Sequence, residues 1–358
     1  MSWLMPAETD PHERLWMAWP SGGYTLGETD ESAHEAREAW AAVARAARRF
    51  EPVTMVVRPE DRAIAEAYLG RAIHLLEAEL DDAWMRDIGP SFVLGAGKDG
   101  THDGAPRLGA VHWTFNGWGA QDWASWEHDA VIGRTVGEAA GAELIPSALV
   151  NEGGGIQADG RGTVLVTETV QLDPARNPGV TKASVEAELE RTIGARHVVW
   201  LPRGLTRDSE RFGTRGHVDL VAAVPSPGTL LVHVQYNPEH PDHEVSGEVL
   251  EALRASRTAD GRPWDIIEVP APARLHDDEG WVDWSYINHV ALNGGLLACS
   301  FNDPHDEKAL RILADAYRGR HVAAVDARAI FSRGGGIHCI TQQQPRATGP
   351  RPSTSGRI

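Results

Sequence analysis

Two cysteines in 358 residues, Cys299 and Cys339, are too few for a disulfide framework, so nothing in the sequence asks for an oxidising compartment. Two thiols alone also cannot build a structural zinc site, which ordinarily takes four Cys or His ligands at characteristic spacing. No run approaches the ~18 apolar residues of a membrane-spanning helix. Met1 to Pro11, with Glu8 and Asp10, holds no signal-peptide core. Positive charge is short as well: 34 Lys and Arg stand against 51 Asp and Glu, a net charge of −17. That balance argues against non-specific phosphate binding and against docking on anionic lipid, and it favours a cationic ligand. Together these absences predict a cytoplasmic protein with no nucleic-acid or membrane partner.

What is present is enough apolar material, 42% of residues, for a full core. Helical and strand patterns alternate along the chain. Residues 31–50 (ESAHEAREAWAAVARAARRF) are Ala-rich, with Asp30 as the expected N-cap and Pro52 as the stop, and VTMVV at 53–57 follows as a buried strand. The same order recurs at 183–193 with HVVWL (197–201), and at 306–318 with HVAAV (321–325). This favours α/β or α+β architecture.

A polar–glycine signature introduces a short apolar strand five times. It reads Arg86-Asp87-Ile88-Gly89, Asn151-Glu152-Gly153-Gly154-Gly155, Arg215-Gly216-His217, Asn293-Gly294-Gly295 and Gly334-Gly335-Gly336. Recurrence at this scale is expected when one supersecondary unit is repeated around an axis. No linker divides the body, so 1–345 is expected to be one domain. Residues 346–358, rich in Pro, Gly, Ser, Thr and Arg, are expected to be a disordered tail.

Several of these segments carry reactive side chains. Cys339 follows the triple glycine at the mouth of a strand, which suits an accessible, reactive thiol and equally a buried structural one. Cys299, inside LLACSF, reads as core. His217 and Asp219 form an H-x-D pair that a strand would place on one face, as an acid/base and its anchor or as a satisfied structural histidine. In Trp84-Met85-Arg86-Asp87 a carboxylate beside an indole suits a guanidinium or ammonium ligand. Glu152 precedes three glycines. Trp113, Trp118, Trp123 and Trp126 form a packing cluster or an aromatic wall. His233, His240 and His243 match no zinc spacing, and His240-Pro241-Asp242-His243 reads as a solvated turn; no metal is expected.

In order along the chain, Met5–Glu8 and Pro11–Arg14 with Trp16–Pro20, Asp82–Asp87 with Gly89-Pro90, Asn151–Gly154, Arg176-Asn177-Pro178, Gly216–Asp219 and Ile337–Gln343 resemble the agmatine deiminases. That family also includes bacterial peptidyl-arginine deiminases. The resemblance implies a pentein fold, a five-bladed α/β propeller of ββαβ-like units with the active site in a central channel. It implies Cys339 as nucleophile, His217 as general acid/base and Glu152 as the carboxylate partnering that histidine. Asp87 and Asp219 would grip the guanidinium, with Trp84 a pocket wall.

The resemblance further implies hydrolysis of agmatine to N-carbamoylputrescine and ammonia through a covalent thiouronium, on the way to putrescine, with no cofactor. Three positions depart from the family: Gly336 in place of Asn beside the nucleophile, Gln157 in place of His, and Leu220 after Asp219. Gly336 is therefore expected to shape the pocket for the distal end of the substrate. Deimination of peptidyl-arginine or a small alkylguanidine, amidino transfer, and silent binding of a guanidine or polyamine are the rival readings. A homo-oligomer is also compatible with the sequence.

Overall fold

The structure is a computed structural model that describes residues 3–95 and 106–347. Its first long helix, Asp30–Ala47, begins at the residue expected to cap it, and the cap lies one residue earlier, at Thr29. Thr29 is extended (φ −118°, ψ 153°), and its side-chain oxygen accepts the Ser32 N–H at 3.1 Å. Asp30 and Glu31 thereby fall in the first turn, where their charge meets the positive end of the helix dipole. Ala36, Trp40, Val43, Ala44 and Ala47 form the buried stripe, at the three- and four-residue spacing of one helix face. They join the core that also holds Leu15, Met17 and the wholly buried strand Val53–Val57.

This helix belongs to a unit that occurs five times. In each, a first strand pairs antiparallel with a second, and the second leads through a helix to a third strand parallel to it. One unit comprises Ser91–Gly95, Arg107–Thr114, helix Asp129–Ala139 and Glu143–Val150. The next comprises Gln157–Ala158, Thr163–Thr167, helix Lys182–Ile193 and His197–Leu201. The third is Ala222–Ser226, Thr229–Val234, helix Asp242–Ala255 and Asp265–Pro270. The fourth is Val290–Leu292, Gly295–Ser300, helix Asp306–Ala316 and His321–Asp326. The fifth joins the two ends of the chain: Thr341–Pro345 lies antiparallel to His12–Ala18, which leads through Asp30–Ala47 to Val53–Val57. Parallel strands require such a crossover, which explains the helix-then-strand alternation along the sequence.

Four of the five glycine motifs stand at the entrance to a unit. The exception is Asn293-Gly294-Gly295, which forms the hairpin between Val290–Leu292 and Gly295–Ser300. The entrance to that unit is Ser285–His289, which has no glycine to mark it. Two strand boundaries also differ from expectation. VDLVAAV starts as a 3-10 turn, Val218–Leu220, and becomes strand only at Ala222. In IHCITQ the strand begins at Thr341.

The tail expected over 346–358 lies outside the described residues from 348 onward. Arg346 donates its backbone N–H to the Pro11 carbonyl at 2.8 Å. None of the described helices is long and apolar enough to cross a membrane.

Candidate active site

The loop entering each unit contributes a polar side chain to one place. Asp87 sits on the short helix Met85–Ile88. Glu152 leads the 3-10 turn Gly153–Gly155, and His217 leads the turn Val218–Leu220, which has Asp219 at its centre. Asn288 comes from the fourth entrance and Cys339 from the fifth.

Gly154 is what lets them meet. A β-carbon there would lie 2.5 Å from His217 Nδ1, 3.0 Å from Asp87 Oδ1 and 3.1 Å from Asp219 Oδ2. Only a hydrogen fits, and the Gly154 N–H itself donates to Asp87 Oδ1 at 3.1 Å. The H-x-D pair reaches this point from a 3-10 turn, where a strand was expected. Asp208 accounts for the turn: its carboxylate accepts the backbone N–H groups of Thr214 and His217 and the Thr214 hydroxyl. The chain is thereby held in a bend immediately before the pair.

Each member is braced from behind. His217 Nε2 lies 3.2 Å from Glu152 Oε2, and Glu152 in turn accepts Arg176 Nε–H at 3.0 and 3.1 Å. Arg176 also donates to Asp173 and to the Thr214 carbonyl. Asp87 Oδ2 accepts the Trp118 indole N–H at 2.9 Å. Trp118 lies in a run of four positive φ angles, Gly117 to Ala120, a strained turn held at the cavity wall. Asp219 Oδ2 is 2.6 Å from His338 Nδ1, and His338 Nε2 is 3.0 Å from Glu8 Oε2. Asn288 donates from Nδ2 to Cys339 Sγ at 3.2 Å, while its Oδ1 accepts the His338 N–H at 3.0 Å. On the inward side, His217 Nδ1 and Asp219 Oδ1 are buried with no hydrogen-bond partner.

Sequence reasoning missed Asn288, Trp118 and Asp208 as site residues. Asn288 had no flanking glycine, and Asp208 acts only through backbone that comes near it after folding. Trp118 had been grouped with packing residues. Trp118 and Trp123 do stack, at 5.4 Å, and together they line the cavity.

Cys339 is only 5% exposed, more enclosed than expected for a reactive thiol. It lies on the wall of a cavity with about 300 Å³ of empty space, whose other walls include Trp84, Asp87, Trp118, Trp123 and Phe212. A larger depression over Arg176–Val180 and Glu188 is mostly open and has no nucleophile on its wall. Gly336, expected beside the distal end of the substrate, does not line the 300 Å³ cavity. A β-carbon on it would meet Asn288 Oδ1 at 2.5 Å and the Phe331 ring at 2.7 Å, so this glycine makes room for Asn288. Gly335 has the place expected of Gly336: its β-carbon would lie 2.8 Å from the Trp84 ring and 3.0 Å from Cys339 Sγ.

Burial and charge set the protonation of the site. Burial alone would lower the pKa of His217, but the charge of Asp87 and the hydrogen bond that His217 donates to Glu152 more than offset it and raise the value to about 9. Burial raises the carboxyl of Asp87 to about 6 against the pull of His217. Burial, then Asp219 and Asp87, push the Cys339 thiol well above its ordinary range. For Asp219 burial works upward too, but the His338 hydrogen bond and charge outweigh it and hold the carboxyl below its usual value. At neutral pH the site therefore holds a thiol, an imidazolium and carboxylates, of which Asp219 has its Oδ1 without a partner.

The three histidines weighed as metal ligands are engaged elsewhere. His233 faces Ser285 Oγ, His240 the Val282 carbonyl and His243 the Gln235 carbonyl. His240 is buried, where a solvated turn had been expected. Among the described residues no group of three or more His, Cys, Asp or Glu side chains is arranged to hold a metal ion.

Five ββαβ units that bring their entry loops to a shared buried cavity define an α/β propeller of the pentein class. The chain belongs to the Porphyromonas-type peptidyl-arginine deiminase family, whose model matches residues 4–345. A Streptomyces coelicolor relative is 56% identical over 347 residues, covering 97% of this chain and 100% of its own. The agmatine deiminase of Stutzerimonas stutzeri is 35% identical over 366 residues, with 96% of this chain and 95% of that one covered. A solved structure of the agmatine deiminase of Enterococcus faecalis matches with a TM-score of 0.88 at 28% identity, covering 97% of each chain.

Proposed function

We propose that this protein is an agmatine deiminase, a hydrolase that converts agmatine and water to N-carbamoylputrescine and ammonia. The observation that carries the reading is the convergence at Gly154. An imidazole nitrogen and two carboxylates meet there, Asp87 and Cys339 also line an aromatic-walled pocket, and His217 Nδ1 and Asp219 Oδ1 are buried without partners. A planar guanidinium supplies the donors those carboxylates want. The names of the relatives and the net charge of −17 support agmatine as its bearer.

A guanidinium is resonance-stabilised and a poor electrophile, so the attacking group must be a thiolate. In the empty site Asp219, with Oδ2 3.7 Å from Sγ, works against that thiolate. A guanidinium between Asp87 and Asp219 reverses the local charge. The thiol then releases its proton to solvent water, helped by the Asn288 N–H on sulfur, and the ammonia freed later takes up the equivalent proton. The Cys339 Sγ–C bond forms, giving a tetrahedral adduct. His217, as imidazolium, protonates a terminal nitrogen from Nδ1, and the C–N bond breaks to release ammonia. This leaves a thiouronium on Cys339. Neutral His217 takes a proton from water as the water adds to that carbon, and the C–S bond breaks to free the ureido product. Glu152, backed by Arg176, keeps the histidine ring turned toward the cavity.

The test is a colorimetric ureido assay with agmatine, arginine, an arginine peptide and butylguanidine, alongside Cys339→Ala. Product from agmatine that disappears in the variant is expected. Absence of product from every guanidine, or product that survives Cys339→Ala, overturns the reading.

A further inference from the structure

Gripping the guanidinium leaves the other end of the substrate unaccounted for. The cavity shares its Phe212, Gly213 and Gly334 walls with a second chamber that has about 310 Å³ of empty space. Asp283 lies on the wall of that chamber. It is 5% exposed, and its Oδ1 is buried without a hydrogen-bond partner. A carboxylate oxygen left in that state is costly unless something supplies a donor.

Of the neighbouring charged groups, Arg211 lies on the same wall with its side chain 66% exposed, 3.9 Å from Asp122, and the others are engaged. Arg207, on the same wall, has its Nη1 bound to Asp277 and its Nη2 bound to Glu279, each at 2.5 Å. Asp208 holds the Thr214–His217 bend, and Asp242 accepts from Thr206. Between the two chambers the wall is apolar: the Phe212 ring stacks on Tyr24 at 4.4 Å and 5°. A carboxylate reached along an aromatic wall from a guanidinium site fits a short alkyl arm ending in a cation.

Resting on the guanidine-hydrolase reading above, we propose that Asp283 anchors the distal ammonium of the substrate and so selects a dicationic alkylguanidine. Burial pushes its carboxyl up to about 7, and an arriving ammonium restores the charged form. The same group selects against free arginine, which carries the same ammonium but adds a carboxylate on the same carbon, beside the negative charge of the anchor. Nothing in the sequence pointed to this residue, since Val282-Asp283-Trp284 carries no motif.

The experiment compares agmatine, butylguanidine and arginine as substrates of the full-length wild type, Asp283→Asn and Glu279→Gln. Butylguanidine has the guanidinium and the four-carbon arm but no ammonium. In Asp283→Asn, kcat/KM for agmatine is expected to fall roughly tenfold to a hundredfold, mainly through KM, as for loss of a hydrogen bond to a charged group. Butylguanidine should change by less than about threefold, and its turnover also reports that the variant is folded. The preference for agmatine over arginine should shrink. Glu279→Gln, which alters a carboxylate already held by Arg207, should leave the agmatine-to-butylguanidine ratio as it is.

Equal losses on agmatine and butylguanidine, or no loss on either, would overturn the anchor while leaving the reaction intact. A wild type that prefers butylguanidine to agmatine would do the same. Failure of the wild type to deiminate any guanidine overturns the reaction and the anchor with it.

Discussion

His217 and Asp87 face each other across 3.8 Å, and between them they set the pH range of the free enzyme. Asp87 must be charged to hold a guanidinium, and burial has moved its carboxyl up to about 6. His217 must be protonated to expel ammonia, and its neighbours hold it near 9 against the cost of burial. The expected kcat/KM profile is therefore a bell that falls below about 6 and above about 9, with apparent values that belong to the coupled pair. Glu152→Gln removes one of the charges that raise His217, so the alkaline limb should move toward neutral pH while the acid limb stays. An alkaline limb that does not move in this variant would separate Glu152 from the titration of the histidine. The reacting types, thiol, imidazole and carboxylate, were legible because each sat beside a glycine or in an H-x-D pattern. Asn288 and Asp208 were not, because their roles exist only once distant loops meet. Local sequence also could not decide which glycine of Gly334–Gly336 faces the nucleophile, since that depends on which side of the turn Asn288 occupies.

At the scale of the element, long amphipathic helices and buried strands followed directly from pattern. Val53–Val57 and His197–Leu201 lie where their apolar runs placed them, because a run of β-branched residues between turn signals has few other solutions. The misplacements occur where side chains capture backbone. Asp208 bends the chain ahead of Val218–Leu220, and Thr29 takes over the cap expected at Asp30. Thr29→Ala tests the second directly. Losing the N-cap oxygen should cost about 1 kcal/mol of stability. Urea denaturation should register that loss as a lower midpoint. An unchanged midpoint would show that the acidic first turn, Asp30 and Glu31, can hold the helix start unaided.

The molecule as a whole is closed by its ends. The strand that follows Cys339 pairs with His12–Ala18, and Trp16 Nε1 donates to Gln344 Oε1 at 3.0 Å across that pairing. The fivefold recurrence was legible from the glycine motifs. That the fifth unit is assembled from both termini was not, because no local pattern records which strands become neighbours. The closure also reaches the chemistry, for Glu8 near the start of the chain holds His338, and His338 holds Asp219. With a carboxylate on each ring nitrogen, His338 donates from both and is an imidazolium. Its pKa is raised by Glu8 and Asp219 against burial and Arg86. Glu8 is moved the other way: burial would raise it, but the charge and hydrogen bond of His338 hold it below the ordinary 4.5. A carboxylate depressed in the folded state stabilises fully above its unfolded value, and that contribution fades as the pH falls through the folded one. Glu8→Gln should therefore lower stability by roughly 3–5 kcal/mol near neutral pH, the range for breaking a buried charge pair. The gap from wild type, read by urea denaturation, should narrow as the pH is taken below about 4.5, toward the depressed value of the folded state. The variant should also bind agmatine more weakly, since Asp219 would be held by a ring that has lost its second carboxylate. The absence of any gap would mean that Glu8 acts only through its acceptance of the Ala291 N–H at 2.8 Å, a bond that glutamine can keep.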